Sequence, residues 1–389
     1  MCDIINSGEF MGKFSIEYTP SEDDIKKLLL MDGDVFDKKD NVNIDLLKDW
    51  LKANDEIYTV LKFDNEPVGY INFAAITEEC YEKFRIGENK DYKLTHRDIV
   101  PFKKGKNFCL FMSIVIKKEF RDGKAIKILW KGFRNKLQQL EKCGKFVEQV
   151  IVDCVSIDGI KFTLNNLNGK YICNSSDWGK IYEGKISKKR QGFPKIKLKE
   201  LNKKNLKTIA KIQYEIFKDT KSVGYCDYLE ELKNDGRVGD DFARSYLIFY
   251  KNKPVGVIGL IQYAKYPDDI FLNWFGVLPE YRDKGIGTNA LLKIIKTARN
   301  YNVKNFRLYS YASWHKVAQN IYRKTMQIEE VYTNPKDNLI LETMGKTLVY
   351  SISLVDKVAS KWNNKFLNLS SEIQLNERSV NQLRSDNLI

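Results

Sequence analysis

The alternation of apolar and polar residues predicts the same order of strands and helices twice along the chain. Two β-rich runs flank a polar turn in residues 58–73 and again in residues 246–262. Both hairpins contain the string Asn-x-Pro-Val-Gly, at 65–69 and at 252–256. The strand and helix patterns before the hairpins are Phe14–Tyr18, Glu22–Phe36, Ile196–Leu201 and Lys204–Phe217. The order of elements therefore predicts two related α/β domains.

A second repeated string follows the hairpin in each half. Ile116-Lys-Lys-Glu-Phe-Arg-Asp parallels Val277-Leu-Pro-Glu-Tyr-Arg-Asp, and each string lies between an apolar strand and a helical pattern. From the hairpin proline to the glutamate is 26 residues in the second half but 52 in the first. We therefore predict an extra segment in the first half, and the charged, irregular stretch 77–107 is the candidate for it.

Length and composition agree with this division. The chain has 389 residues, about twice a common domain, and 43% are hydrophobic, which excludes a mainly disordered protein. We predict a first domain at 1–187, a basic linker at 188–195, a second domain at 196–355 and an appended helix and tail at 356–389, which could mediate homodimerisation. The sequence contains neither a membrane-length apolar run nor a secretory signal, so we expect a soluble cytoplasmic protein without a membrane partner.

Cysteine and histidine usage argues against metal and disulfide frameworks. Seven cysteines and two histidines are present, with no CxxC pair. Zinc ribbons and disulfide-stapled folds need paired ligands or paired cysteines, so reduced thiols and no bound metal are expected.

The formal net charge of +14 is unevenly distributed. Between Ile186 and Lys207 there are nine basic residues and a single acid, Glu200. Two interpretations remain open: a solvated connector, or a docking strip for an anionic partner or for the phosphates of a cofactor.

The stretch 271–296 carries the clearest chemical signal. An apolar strand, Phe271–Val277, leads through Pro279 into Arg-x-x-Gly-x-Gly at 282–287 and then into an apolar-faced helix. A glycine loop at a helix N-terminus offers unpaired backbone N–H groups to an anion such as a pyrophosphate. The pattern matches neither the P-loop nor the dinucleotide fingerprint.

Residues 196–355 resemble the GNAT superfamily of acyl-CoA N-acyltransferases, on the strength of Val277, Pro279, Arg282, Gly285 and Gly287 and of the surrounding βαβ order. The resemblance implies a central mixed, mainly antiparallel sheet flanked by helices, with a bulged strand before the loop. It also implies acetyl-CoA as co-substrate. The residues that it assigns to the coenzyme are Phe275, Gly276, Val277, Arg282, Asp283, Lys284, Gly285, Ile286, Gly287 and Thr288.

The following elements supply two candidate catalytic residues. We predict a strand at Asn305–Tyr311, a helix at Ser313–Met326 and a closing strand at Thr347–Leu354. By resemblance, Tyr322 protonates the departing thiolate. His315 is a candidate base because its ordinary pKa suits proton transfer near neutral pH. His315 replaces the asparagine usual in this helix, and the Gly-Phe usual beyond the tyrosine is absent.

The first half resembles the same family more distantly. Arg121 matches the loop arginine, but Lys124 and Ile126 take the places expected for the two glycines, and Phe162 falls near the position of the tyrosine. We therefore expect a degenerate, non-catalytic domain that shapes the acceptor cleft.

Together these features predict an N-acetyltransferase that moves an acetyl group from acetyl-CoA to a primary amine in a ternary complex. Alternatives are a peptidyl or aminoacyl transferase of paired GNAT folds that uses aminoacyl-tRNA, and a binding module without catalysis. Nucleic acid is admitted as a partner but not favoured. The sequence does not identify the amine acceptor.

Overall fold

The computed structural model describes residues 12–33, 44–121, 123–175, 179–186, 194–218, 221–313, 316–332, 346–355 and 358–362. Contacts divide the chain into two compact units, Met1–Gln191 and Gly192–Ile389. No helix in the described ranges is long and apolar enough to cross a membrane.

The first unit is a mixed sheet with helices between its strands. Its elements are β1 Phe14–Glu17, α1 Glu22–Gly33, α2 Ile44–Ala53, β2 Tyr58–Phe63, β3 Glu66–Ile76, α3 Glu78–Arg85, β4 Ile99–Val100, β5 Gly105–Ile116, α4 Lys124–Lys142, β6 Lys145–Cys154, α5 Ile157–Asn166, β7 Lys170–Asn174 and β8 Lys180–Gly184. The strand order is β1-β2-β3-β5-β6-β8-β7, and the short β4 also pairs with β3.

The second unit repeats this architecture. Its elements are β9 Ile196–Glu200, α6 Leu206–Phe217, α7 Lys221–Lys233, β10 Arg237–Val238, β11 Asp241–Tyr250, β12 Lys253–Gln262, β13 Asp269–Val277, α8 Ile286–Ala298, β14 Asn305–Tyr311, α9 Lys316–Thr325, β15 Ile328–Tyr332 and β16 Thr347–Ser353. The strand order is β10-β11-β12-β13-β14-β16-β15, with β9 also paired to β11.

The two sheets share their pairing pattern as well as their order. In each described sheet the one parallel pair occupies the same place, β5 with β6 and β13 with β14, and the other pairs are antiparallel. The predicted pair of α/β domains, each with a mixed and mainly antiparallel sheet, is therefore confirmed.

The repeated hairpins have the same backbone. Asp64 and Asn65 at one turn, and Lys251 and Asn252 at the other, all have positive φ, from 47 to 69°. Two left-handed residues make the tight turn whose twist suits an antiparallel hairpin. The ladder shifts register just before the turn in both copies, between Leu61 and Lys62 and between Ile248 and Phe249.

The extra segment of the first unit is more ordered than the sequence pattern predicted. It contains α3 and β4, and Cys80, Tyr81 and Phe84 of α3 lie in the buried core. The indole of Trp50 donates a hydrogen bond to the carbonyl of Leu94 in the same segment, at 3.0 Å. The expectation of an irregular stretch was wrong because an eight-residue helix with one buried face shows too few turns to reveal its period.

The sheet of the second unit is anchored at the start of β13. The buried guanidinium of Arg307 lies 2.8 Å from the Asp269 carboxylate and donates to the hydroxyl and carbonyl oxygens of Ser360. Trp362 packs against Tyr266 and Phe271. Of the appended helix predicted at 356–389, only 358–362 lie among the described residues, and these five are not helical.

Candidate active site

A β-bulge distorts β13 in its second half. Val257 of β12 pairs with Gly276 and Gly259 pairs with Asn273, so Trp274 and Phe275 together face one residue of β12. Trp274 has a φ of 41°, a left-handed conformation that a bulky residue rarely adopts. Bulges of this kind bend a strand and redirect its side chains.

Next to the bulge, β13 and β14 diverge. Their parallel pairing covers only 269–271 against 305–307, although β13 continues to Val277 and β14 to Tyr311. The main-chain groups on this side of the end of β13 therefore have no strand partner among the described residues. An extended ligand could pair with them as an added strand would.

Helix α8 begins at the far end of this gap, beyond the end of β13. After the single turn Pro279–Tyr281, Asp283 and Gly285 have positive φ values of 58° and 73°, and Gly285 is the N-cap residue. No side chain caps the helix, and its first turn contains no acidic residue. The N–H groups of Ile286, Gly287 and Thr288 are therefore left for an anion, which the helix dipole also favours.

The two glycines of the loop have different structural roles. Gly285 needs its positive φ, whereas a Cβ placed on Gly287 would lie 3.5 Å from Cζ of Phe275 and 3.8 Å from Cδ1 of Ile321. These are ordinary contacts, so the protein itself has room for a side chain at 287. A phosphate resting on the helix end would not have that room, and the absence of Cβ fits such a ligand.

Other residues assigned to the coenzyme from the sequence have structural roles that the structure makes visible. A Cβ on Gly276 would come within 2.5 Å of Ile216, so this glycine lets α6 pack close to β13. The side chain of Ile286 is buried, and only its main chain faces the loop. The ammonium of Lys284 donates to the carbonyl of Glu280 at 2.6 Å and lies over the ring of Tyr281.

Arg282 ties the loop to the end of β13. Its Nε donates to the carbonyl oxygen of Val277 at 3.0 Å, while the residue as a whole is exposed. The same bond exists in the first unit, where Nε of Arg121 donates to the carbonyl of Ile116 at 2.8 Å. The repeated arginine thus has a repeated structural function, and both residues are exposed.

Tyr322 on α9 lies beside the bulge. Its ring centroid is 6.5 Å from that of Phe275 and 5.5 Å from that of Tyr350. Burial raises the pKa of the Tyr322 hydroxyl well above its usual range, so the group stays protonated at neutral pH. Its hydroxyl has no hydrogen-bond partner among the described residues. The structure therefore brings Phe275, Gly287 and Tyr322 together, with Ile321, which sequence reasoning missed.

Of three further polar candidates, only the two aspartates can be located. His315 lies outside the described residues. Asp268 and Asp269, whose carboxylates are of a type that can bind an amine or relay a proton, lie at the opposite end of the nine-residue β13 from the loop. Asp269 is bonded to Arg307 and Asn305, and Asp268 accepts from Lys304. The described residues contain no cluster of His, Cys, Asp and Glu able to hold a metal ion.

The first unit has the same loop in altered form. Helix α4 is capped by Gly123 with a φ of 87°, so Gly123 corresponds to Gly285 and the buried Ala125 to Gly287. The sequence alignment that set Lys124 and Ile126 against the two glycines was wrong by one residue, because the loop after Arg121 is one residue shorter.

Aromatic side chains fill the region of the first unit that corresponds to the Tyr322 site. Phe162 of α5 packs against Phe111 of β5 at 5.5 Å between ring centroids and against Trp130 of α4 at 5.0 Å. Helix α5 ends as α9 does, since the N–H of Leu167 donates to the carbonyl of Thr163 and that of Met326 to the carbonyl of Tyr322. The position of Tyr322 is therefore held by the buried Thr163, and Phe162 lies at that of Ile321, one residue from where the sequence predicted it. The fold is retained and α4 also begins without a side-chain cap, but a tyrosine is absent, and the hydroxyl of Thr163 lies 3.3 Å from the sulfur of Cys154.

Comparison with known proteins agrees with this geometry. Residues 210–326 match the model of the acetyltransferase (GNAT) family. The second unit therefore contains a GNAT domain, and with its repeated sheet the chain consists of two GNAT-like domains. No curated protein matches the sequence.

Several solved acetyltransferases are similar in structure at low sequence identity. One, from Salmonella typhimurium, modifies the N-terminal serine of ribosomal protein L7/L12 (12% identity, 41% of this chain and 95% of that one, TM-score 0.32). Another is a Bacillus subtilis acetyltransferase in complex with CoA (14% identity, 41% of this chain and 99% of that one, TM-score 0.32). A third is the spermidine/spermine N-acetyltransferase of Vibrio cholerae (15% identity, 45% of this chain and 96% of that one, TM-score 0.32). At these TM-scores the assignment rests on the family match and the strand order.

Proposed function

We propose that the second unit transfers an acetyl group from acetyl-CoA to a primary amine. The observation that carries this proposal is the gap between β13 and β14, which opens at a bulge and ends at the uncapped N-terminus of α8. The gap suits the extended pantetheine arm, and the helix end suits the pyrophosphate. The GNAT match over 210–326 supports the same reaction class.

The chemistry requires a neutral amine that attacks the thioester carbonyl carbon. A C–N bond forms and the C–S bond then breaks, so that the amine loses a proton and the departing thiolate gains one. Tyr322 is the proposed donor to the sulfur, because burial keeps its hydroxyl protonated and leaves it without another partner in the described chain. Main-chain N–H groups at the end of β13 are the candidates for polarising the carbonyl.

The substitution Gly287→Asp tests this assignment. A carboxylate in the first turn of α8 is favourable for the helix but repels a diphosphate at the same place. We expect the variant to keep its thermal stability and to lose at least about tenfold in acetyl-CoA affinity by calorimetry, which corresponds to about 1.4 kcal/mol.

Lys124→Gln in the first unit is the control. It removes a positive charge from the start of α4, and acetyl-CoA affinity should not change if only the second unit binds the coenzyme. Unchanged binding in Gly287→Asp, or a loss in Lys124→Gln, would contradict the proposal.

A further inference from the structure

A lysine-rich groove lies at the sheet edge of the second unit, on strands β9 and β11 and the turn after β11. Its volume is about 400 Å³, within the range of ligand pockets. The lining residues are Pro194, Lys195, Lys197, Phe249, Tyr250, Lys251 and Asn252.

The lysines around the groove are exposed and unpaired. Lys197 faces Phe249 across the ladder, the ammonium of Lys199 lies 4.1 Å from the centroid of the same ring, and that of Lys251 lies 5.4 Å from the centroid of Tyr250. None of these lysines forms an ion pair with a residue that the structure describes. The nearby Glu200 instead lies 3.5 Å from Arg244.

The equivalent sheet edge of the first unit carries different charges. Its β1–β2 ladder has the same register as the β9–β11 ladder, since Phe14 pairs with Phe63 as Ile196 pairs with Tyr250. The positions of Lys197, Lys199, Lys251 and Lys253 are held there by Ser15, Glu17, Asp64 and Glu66. At these four positions the framework therefore carries negative charge in one unit and positive charge in the other, whereas Lys13 keeps the lysine found at 195.

Protection of a sheet edge does not explain this reversal. Charged side chains keep edge strands from pairing with other chains, and either sign serves that purpose. In the first unit the acidic residues also find partners, as Glu66 does with Lys27 at 2.9 Å. The four lysines lie at neighbouring positions of one ladder and its turn, and no carboxylate in the described ranges forms an ion pair with them, so their sign suits a ligand of opposite charge.

We propose that this groove binds a single-stranded stretch of nucleic acid. Lysines spaced along a strand and a turn suit successive phosphates, and the half-buried ring of Tyr250, which lines the groove, is an aromatic surface against which a base can stack. An acidic peptide would use the lysines alone. The inference goes beyond the proposed acetyl transfer, since it concerns the partner to which this unit attaches.

Binding of a fluorescein-labelled oligouridylate, measured by anisotropy at several salt concentrations, tests the groove in the full-length protein. The test variant is Lys197→Ser with Lys251→Asp, because the first unit tolerates these residues at the equivalent positions. The control variant is Lys265→Ser with Lys296→Asp, which makes the same change in charge at exposed lysines of the opposite sheet end and of the last turn of α8.

We expect the test variant to bind at least tenfold more weakly at low salt. The slope of log affinity against log salt should become shallower by about 1.4, because each phosphate contact with a single strand contributes about 0.7. The control should bind within about twofold of the parent.

Three results would overturn the proposal. The first is no binding of the oligonucleotide at about 50 mM salt, and the second is an equal loss in both variants. The third is equally tight binding of oligoglutamate that is lost in the test variant, which would indicate an acidic protein partner.

Acetyl-CoA affinity measured on the same variants keeps this test separate from the transferase proposal. If the test variant loses affinity for acetyl-CoA but not for its dephospho form, the groove belongs to the coenzyme.

Discussion

Equivalent residues of the two units show which roles belong to the fold and which to the chemistry. Arg121 and Arg282 make the same bond to the preceding strand, so this arginine is needed to shape the loop in either unit. Thr163 and Tyr322 occupy equivalent positions of matching helices, so the first unit lacks the tyrosine. The difference between the units therefore lies at positions that face the gap, while the supporting contact is kept.

Tyr322→Phe separates the proposed proton donor from its packing. The ring contacts with Phe275 and Tyr350 remain, so thermal stability and acetyl-CoA affinity should stay near those of the parent. The rate of thiol release with an amine acceptor should fall about 10²-fold, the typical contribution of a positioned acid. Tyr350→Phe is the control, since its hydroxyl bonds to Glu329 at 3.1 Å, and the rate should be nearly unchanged.

The pH dependence of this rate follows from the direction of the pKa shift. An acid must be protonated to act, and a raised pKa moves its deprotonation to higher pH. Loss of Tyr322 activity should therefore begin only above about pH 10, the usual pKa of the side chain. A rate that falls between pH 7 and 9 in the parent but not in Tyr322→Phe would argue against this donor.

At the scale of elements, the N-terminus of α8 combines a required glycine with a replaceable one. Gly285 adopts a positive φ that any other residue strains to reach, whereas Gly287 is helical and has room for a Cβ. The backbone conformation requires glycine at 285, whereas at 287 the proposed phosphate ligand is the reason for a glycine.

Alanine substitutions at these two positions should have opposite effects on stability. Gly285→Ala should lower the free energy of unfolding by about 1 kcal/mol because it places a Cβ in the left-handed region. Gly287→Ala should raise it by up to about 1 kcal/mol because alanine is the better helix former, yet weaken acetyl-CoA binding. Denaturant unfolding and calorimetry on the same preparations measure both. A Gly287→Ala variant that is less stable than the parent would show that the protein, and not a ligand, fills this space.

At the scale of the molecule, the two units share a framework but are filled differently. In the first unit Phe162 packs against Phe111 and Trp130, whereas in the second Tyr322 packs against Phe275 and Tyr350 and Gly287 leaves room for a Cβ. Each unit also has its own hydrophobic core, so their sheets do not depend on shared strands.

Residues 192–389 expressed alone should therefore fold and bind acetyl-CoA with an affinity within a few-fold of the intact protein. Circular dichroism and calorimetry check this, and residues 1–191 serve as the matched fragment, which should fold without binding the coenzyme. Coenzyme binding by the first fragment, or its loss from a folded second fragment, would show that the division of roles is wrong.

The sequence alone was sufficient to predict the repeated framework, because the signals are local. The turns at Asp64 and Lys251, the strand periods around them and the Arg-x-x-Gly-x-Gly string depend on neighbours a few residues apart. The buried helix α3 escaped detection because eight residues are too few to reveal a period, and the alignment around Gly123 failed because one residue is missing from that loop.

Only the tertiary structure showed which distant residues come together at the proposed site. The bulge at Trp274, the divergence of β13 from β14 after Phe271, and the contact of Tyr322 with Phe275 join residues up to about fifty positions apart. The sequence shows that Asp64 and Lys251 carry opposite charges. That they occupy equivalent positions on a sheet edge follows only from the shared register of the two ladders. Propensity and periodicity describe a chain within a turn or two, whereas a gap between strands is a property of how distant segments pack.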